Sequence, residues 1–226
     1  MENRSEPEEA AERGIFRMEL PFFCLTYTEE VSALDLLRRL EVEPSASSML
    51  GRTEAESLID FESEGSLLRA GGLDNWSFCF ETWGTLGAGE YGLSRMSRGT
   101  QTLSYTNGGN GLDLVQRWVD GRPVEVFEVL VAGSLRAQAE TPLWDAAQLH
   151  LSEPAESETS LAGCVAALRA VHDHVGGHIT PELIAQPLRS SWVPATPAMR
   201  VQHLDPPPPV HRPAAPHGLG PRLHGL

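Results

Sequence analysis

Apolar and polar residues alternate most clearly in the segment that begins at Trp76 and ends at Gly84. Successive side chains of a strand point to opposite faces, so Trp76, Phe78 and Phe80 share one side of an extended chain and Glu81 lies on the other. An aromatic face of this kind suits a pleated, half-buried surface. We therefore predict a strand here whose aromatic side belongs to the core.

Short apolar segments separated by turn residues continue to residue 130, which predicts a meander of strands over 66–130. The clearest turn is Asp120-Gly121, because a type I′ hairpin needs positive φ at both central residues and Asp-Gly pairs favour it. Residues 21–28 have the content of a buried strand, with Pro21 tolerated at its first position. The other predicted strands cover 66–70, 100–106, 112–119 and 122–130.

Helical periodicity is strongest over 161–175, where apolar residues recur every three or four positions before the stop Gly176-Gly177. A second helix is predicted over 31–40 by the same spacing. Thr53 and Glu56 match a capping box, which predicts the start of a short helix. Further short helices are expected over 90–97, from Thr141-Pro142 and from Thr180-Pro181.

Together these elements predict one α+β domain over 14–193. Its sheet is mostly antiparallel, built from the 66–130 meander plus the N-terminal strand, and is flanked by N- and C-terminal helices. Residues 1–13 are acidic and lack aromatics, and residues 194–226 are rich in Pro and His. Neither segment can bury enough apolar surface to offset the entropy of ordering, so both are predicted to be disordered tails.

The charge balance narrows the range of partners. The formal net charge is -14, and all 17 basic residues are arginine. This argues against nucleic acid, since binding a phosphate backbone normally needs a basic patch. No apolar run approaches the roughly 18 residues of a membrane span, and the acidic N-terminus does not resemble a secretory signal. We expect no nucleic-acid partner, no membrane and a cytoplasmic location.

Signatures of cofactors and metals are missing. The three cysteines form no CxxC pair, and the glycine-rich turn at 107–111 lacks the lysine and hydroxyl of a phosphate-binding loop. His172, His174 and His178 are close in sequence, but His172 and His174 would project to nearly opposite sides of a helix. We therefore predict no metal and no cofactor, and a metal site at the histidine cluster stays as a third hypothesis. HExxH and GxSxG patterns are also missing, which favours a non-catalytic role and leaves the enzyme question open.

An ordered set of motifs covers about residues 15–190. The set comprises 21–27, the Leu-Leu-Arg-Arg-Leu helix at 36–40, 76–84, 97–105, 110–121 and 178–184. It resembles a family of actinobacterial proteins built on a domain of unassigned function. The resemblance implies an α+β fold and a bacterial, cytoplasmic origin, and it carries over no catalytic residue.

Three residues are binding candidates: Glu81, Trp83 and Trp118. Glu81 ends an aromatic strand beside the glycine-rich loop 85–89, where burial would raise its pKa and suit it to acid or base chemistry. Alternatively, it is the outward member of an alternating strand. Trp83 and Trp118 are expected to be exposed and to contact a protein partner. The leading hypothesis is thus a non-catalytic protein-interaction module. The alternative is a small-ligand-binding or hydrolytic domain with a pocket near Glu81 and the 85–89 loop.

Overall fold

The structure is a computed structural model that describes residues 12–18, 20, 22–62, 64–108, 113–131, 133–137, 140–151 and 159–200. Most of the two segments predicted as tails, residues 1–11 and 201–226, lies outside these ranges, as does part of the predicted 107–111 turn. The described chain begins at Glu12, which is helical, and continues to residue 200. Its two ends therefore extend into both predicted tails.

The described chain contains runs of strands and runs of helices. The strands are β1 (Phe23–Glu29), β2 (Ser48–Leu50), β3 (Gly65–Leu73), β4 (Trp76–Glu81), β5 (Gln101–Asn107), β6 (Asp113–Val119), β7 (Arg122–Glu128), β8 (Arg136–Ala137) and β9 (Leu188–Pro194). The helices are α1 (12–16), α2 (Ala33–Arg39), α3 (Arg52–Glu56), α4 (Glu90–Met96), α5 (Pro142–Leu151), α6 (Thr159–Val175), α7 (Pro181–Ala185) and α8 (Pro197–Arg200), and a 3-10 turn covers Pro44–Ala46.

These strands form one sheet in the order β2-β9-β3-β4-β1-β5-β6-β7-β8. Every neighbouring pair is antiparallel. The N-terminal strand β1 lies between β4 and β5, so it joins the predicted meander at its centre. The predicted α+β fold class, with a mainly antiparallel sheet and flanking helices, is confirmed. The hairpin between β6 and β7 is also confirmed, since Asp120 and Gly121 have φ angles of 48° and 76°.

Three strands, β2, β8 and β9, were not expected. In β9 the adjacent serines Ser190 and Ser191 break the alternation of polar and apolar residues, yet both are buried. The Ser191 hydroxyl donates to the carbonyl of Ala46 at 3.0 Å. β9 pairs with β3 on one side and β2 on the other, so hydrogen bonding to distant strands, rather than local sequence, fixes it.

Helices cover both faces of the sheet. On the aromatic face α5, α6 and α7 pack against a core that contains Trp76, Phe78 and Phe80, which are 6%, 0% and 0% exposed. This confirms the predicted core side of β4. On the other face α2 and α4 cover a second core that includes Cys79. Because both faces are buried, Glu81 does not point outward to solvent. The interpretation of Glu81 as the outward member of an alternating strand is therefore wrong.

The helices that were predicted agree in position with the structure except at α3, whereas α1 and α8 were not predicted and begin in the segments predicted as tails. Helix α3 begins at Arg52 with Gly51 as its N-cap, and the Glu54 carboxylate accepts from the Gly51 N–H at 2.9 Å. The predicted capping box at Thr53 and Glu56 is therefore wrong by two residues. By contrast, Thr180 caps α7 as predicted, with its hydroxyl accepting from the Leu183 N–H.

None of the helices in the described ranges has the length and apolar character that crossing a membrane requires.

Candidate functional site

A pocket of about 280 Å³ opens between the start of β3, the loop after β4 and the end of β9. One wall is the segment 84–92, hereafter the loop 84–92, which comprises most of the connection between β4 and α4 and the first residues of α4. The opposite wall comes from β9 and α8. The lining residues are Glu64, Gly65, Ser66, Gly84, Thr85, Leu86, Gly89, Tyr91, Gly92, Val193, Ala195 and Met199. The pocket therefore joins parts of the chain that lie more than 100 residues apart in the sequence.

Glu81 anchors the pocket wall from beneath. It is the last residue of β4 and is 1% exposed. Its carboxylate accepts from the N–H groups of Leu86, at 3.1 Å, and Gly87, at 2.5 Å. The Ser66 hydroxyl also bonds to this carboxylate. Glu81 does not line the pocket itself, but Ser66 and Leu86 do. Glu81 lies next to the 85–89 loop, as predicted, and its role there is to hold this loop in place.

Burial raises the pKa of Glu81 to about 7, although the hydrogen bonds from Gly87, Ser66 and Leu86 oppose the rise. The neighbouring Cys24 thiol stays neutral, because burial and the charge of Glu81 raise its pKa to about 12. This thiol is therefore not a nucleophile at neutral pH. The carboxyl group of Glu81 titrates near neutrality while facing backbone N–H groups of the loop.

Two glycines shape this wall of the pocket. Gly84 has φ of +100°, and a Cβ there would collide with Ser66. Gly92, at the start of α4, lies so close to the Leu86 carbonyl that a side chain could not be accommodated. Both residues line the pocket. The shape of this wall thus depends on positions where only glycine fits.

Trp83 belongs to an exposed aromatic group, as the sequence predicted. It is 38% exposed and contacts Phe61, which is 75% exposed, with ring centroids 5.6 Å apart. Phe22 lies on its other side at 6.3 Å. Phe22, Phe61 and Trp83 are hereafter called the aromatic surface. Trp83 directly precedes Gly84, so this surface adjoins the pocket wall.

Trp118 does not belong to the aromatic surface, and the expectation that it is exposed is wrong. It is 2% exposed and lies in the core beneath α2 and α4. Its indole N–H donates to the Gln116 side-chain oxygen at 3.1 Å. The second helix layer, which strand periodicity does not reveal, covers this face of β6.

A buried polar cluster joins α1 to the end of α6, on the aromatic side of the sheet. The Oε1 atom of Glu12 lies 2.8 Å from Nδ1 of His172 and 2.8 Å from Nδ1 of His178. His172 and Glu12 are fully buried. His172 Nε2 lies 2.8 Å from the Tyr27 hydroxyl. His174 takes no part: its ring faces Trp76 instead, in agreement with the predicted opposite projection of His172 and His174.

The cluster could not be found from the spacing of histidines on one helix. The chain reverses at Gly176, which has φ of +75°, and this brings His178 back to within 5.1 Å of His172, measured between ring centroids. Glu12 lies in the segment predicted as a tail. Burial raises the pKa of Glu12, but hydrogen bonds from His172 and His178 outweigh this and hold it at about 2.

Comparison with known proteins identifies a family. The model of the family of unknown function DUF6461 matches residues 13–154, which is more than half of the 226 residues. No curated protein matches the chain, and no solved structure does. The matched stretch contains Glu81, Trp83 and the loop 84–92, whereas Glu12, His172, His178 and β9 lie outside it. The chain belongs to the DUF6461 family.

Proposed function

We propose that this protein binds a small ligand in the pocket between the loop 84–92 and the end of β9. The observation that carries the proposal is the pocket wall itself, which is held in place by Glu81 and shaped by Gly84 and Gly92. A fixed concave surface with apolar walls and a few polar groups is typical of small-molecule sites. The volume of about 280 Å³ suits a fragment-sized molecule.

The lining indicates the chemical class of the ligand. Leu86, Val193 and Met199 give apolar walls, and Glu64 and Tyr91 supply polar groups. Among the described residues, the lining has one acidic residue, Glu64, and no basic residue, and the chain has a formal net charge of -14, which together disfavour anions. We therefore expect a largely apolar molecule with a neutral or cationic polar group.

Binding fits the geometry better than hydrolysis does. A general base must reach the proton that it abstracts, and the Glu81 carboxylate is occupied by the N–H groups of Leu86 and Gly87. Its role in this proposal is to position the wall. The proposal assigns binding and no reaction.

The test uses a substitution that fills the pocket with a larger side chain. Ala195 lines it, and its N–H donates to the Glu64 carbonyl at 2.8 Å, a bond that a new side chain leaves intact. Ligand-observed NMR with a library of apolar and cationic fragments should give hits on the full chain. Ala195→Phe should weaken these hits by at least about tenfold, whereas Ala185→Phe, an exposed control on α7, should leave them unchanged. A library without hits, or hits that bind Ala195→Phe equally well, would contradict the proposal.

The aromatic surface supports a second candidate function, the binding of a protein partner. Exposed aromatic residues are enriched in interfaces and often dominate their energetics, and Phe61 and Trp83 contact each other in the open. Crosslinked pull-down from a bacterial lysate should recover one partner with the full chain and with the control Leu149→Ser, which alters an exposed leucine on α5. Phe61→Ser should lose that partner. Equal recovery with all three proteins would remove the aromatic surface from consideration.

A further inference from the structure

In the cluster of Glu12, His172 and His178, one buried hydrogen-bond acceptor atom has no donor among the described residues. The Oε2 atom of Glu12 is buried, and no hydrogen-bond partner for it exists among the residues that the structure describes. A buried carboxylate oxygen without a donor costs free energy, so such an atom indicates a missing partner. The pocket and the aromatic surface discussed above do not involve this cluster.

The three side chains offer one carboxylate oxygen and two imidazole nitrogens. These ligand atoms all lie within 4.8 Å of one another. Two histidines and one glutamate are a donor set that zinc accepts, with metal–ligand distances of roughly 2.0–2.2 Å and a further position open to water. The present 2.8 Å separations need to widen by only about half an ångström to place a metal between the atoms.

We propose that Glu12, His172 and His178 form a binding site for a divalent transition metal, with Zn²⁺ as the expected ion. His178 is the ligand nearest to solvent, with its side chain 29% exposed, and therefore marks the side on which the ion enters. The Tyr27 hydroxyl, 2.8 Å from His172 Nε2, orients the ring from behind, as outer partners of metal-bound histidines do.

Metal binding changes the protonation of the rings but conserves the number of protons. An ionised Glu12 only accepts, so both histidines present Nδ1–H to it in the metal-free protein. When Nδ1 binds the metal, the proton of each neutral ring moves to Nε2. On His172 this Nε2–H then donates to the Tyr27 hydroxyl, and the long 3.4 Å contact from the Ile179 N–H is lost.

A metal bound at this site would link two parts of the chain that are distant in sequence. It joins α1 to the end of α6, so its ligands are separated by 160 positions in the chain. A metal that binds the folded state alone raises the stability of the fold. Zinc should therefore raise the melting temperature, which distinguishes this site from His203, His211, His217 and His224 near the C-terminus.

The experiment uses the full chain after chelator treatment, with ZnCl₂ as the probe. Calorimetric titration should show one tight site, and added zinc should raise the melting temperature. His178→Ala and Glu12→Gln should weaken this site by at least about 100-fold and abolish the rise in melting temperature. His174→Ala, on the same helix but facing Trp76, should behave as wild type.

Zinc binding without a rise in melting temperature, or a rise that persists in both ligand variants, would overturn the proposal. If the ligand variants do not fold, the site can be located by titrating the wild-type protein with paramagnetic Co²⁺. Paramagnetic broadening of the amide signals of Tyr27 and Ile179 would support the site. Broadening confined to residues 201–226 would refute it.

Discussion

Glu81 shows how one buried carboxyl group can shape a surface that it does not reach. It is the end residue of β4, and its carboxylate holds Leu86 and Gly87 of the pocket wall. Its raised pKa has a thermodynamic consequence. Since the folded state binds the proton more tightly than the unfolded chain, the contribution of Glu81 to stability is present below the unfolded pKa of 4.5 and is lost as the pH rises towards about 7.

Glu81→Gln should remove this pH dependence. Relative to the variant, wild type should lose about 3 kcal/mol of unfolding free energy between pH 4.5 and pH 7, because one pKa unit corresponds to about 1.4 kcal/mol. Urea unfolding at several pH values measures it. Glu12 and His172 also titrate with shifted pKa values, but their contributions cancel in the difference. The exposed Glu62→Gln is the control, and parallel pH profiles for wild type and Glu81→Gln would contradict the assignment.

At single residues, the sequence predicts which side chains face the aromatic core but not what covers the other face. Trp76, Phe78 and Phe80 are buried as alternation requires. Trp118 and Glu81 are also buried, because α2 and α4 cover the second face of the sheet. Strand periodicity cannot reveal this covering, since it depends on where the helices pack in the folded chain.

Among the elements, the loop 84–92 connects fold and function most directly. Gly84 allows the chain to turn against Ser66 with φ of +100°, a conformation that side chains disfavour. The glycines of this loop can be read from the sequence, but the reason why glycine is needed there cannot. The atoms that an added side chain would collide with belong to β3 and to the Leu86 carbonyl.

Gly84→Ala should lower the free energy of unfolding by at least about 2 kcal/mol, since it combines strain at positive φ with a collision against Ser66. It should also weaken fragment binding in the pocket. Gly72→Ala is a matched control in β3, where an added Cβ would meet nothing within 4 Å. Denaturant unfolding compares the two variants, and a Gly84→Ala protein as stable as Gly72→Ala would show that the wall tolerates a side chain.

Elements with local signals were predictable, and elements fixed by distant pairing were not. The Asp120-Gly121 hairpin and the Thr180 cap depend on residues that are neighbours in sequence. β9 is held by hydrogen bonds to β2 and β3 instead. Because β9 and the following residues through α8 supply three of the twelve lining residues, this wall of the candidate site was beyond what local patterns can indicate.

For the whole molecule, the arrangement places three candidate sites on separate parts of one fold. The pocket lies at the start of β3 and the end of β9, the aromatic surface borders its wall, and the cluster of Glu12, His172 and His178 lies on the aromatic side of the sheet. The match to DUF6461 covers residues 13–154 and includes the loop 84–92. The pocket wall therefore lies within the stretch that defines the family.

The most direct test of the proposed binding function is a map of the amides that a fragment perturbs. The full chain, labelled with ¹⁵N, is titrated with the fragment that Ala195→Phe loses. The predicted result is shift changes concentrated at Ser66, at 84–92 and at 193–199, the segments that line the pocket. Shift changes that leave these three segments unaltered, with a response elsewhere on the molecule, would contradict the assignment of this pocket as the ligand site.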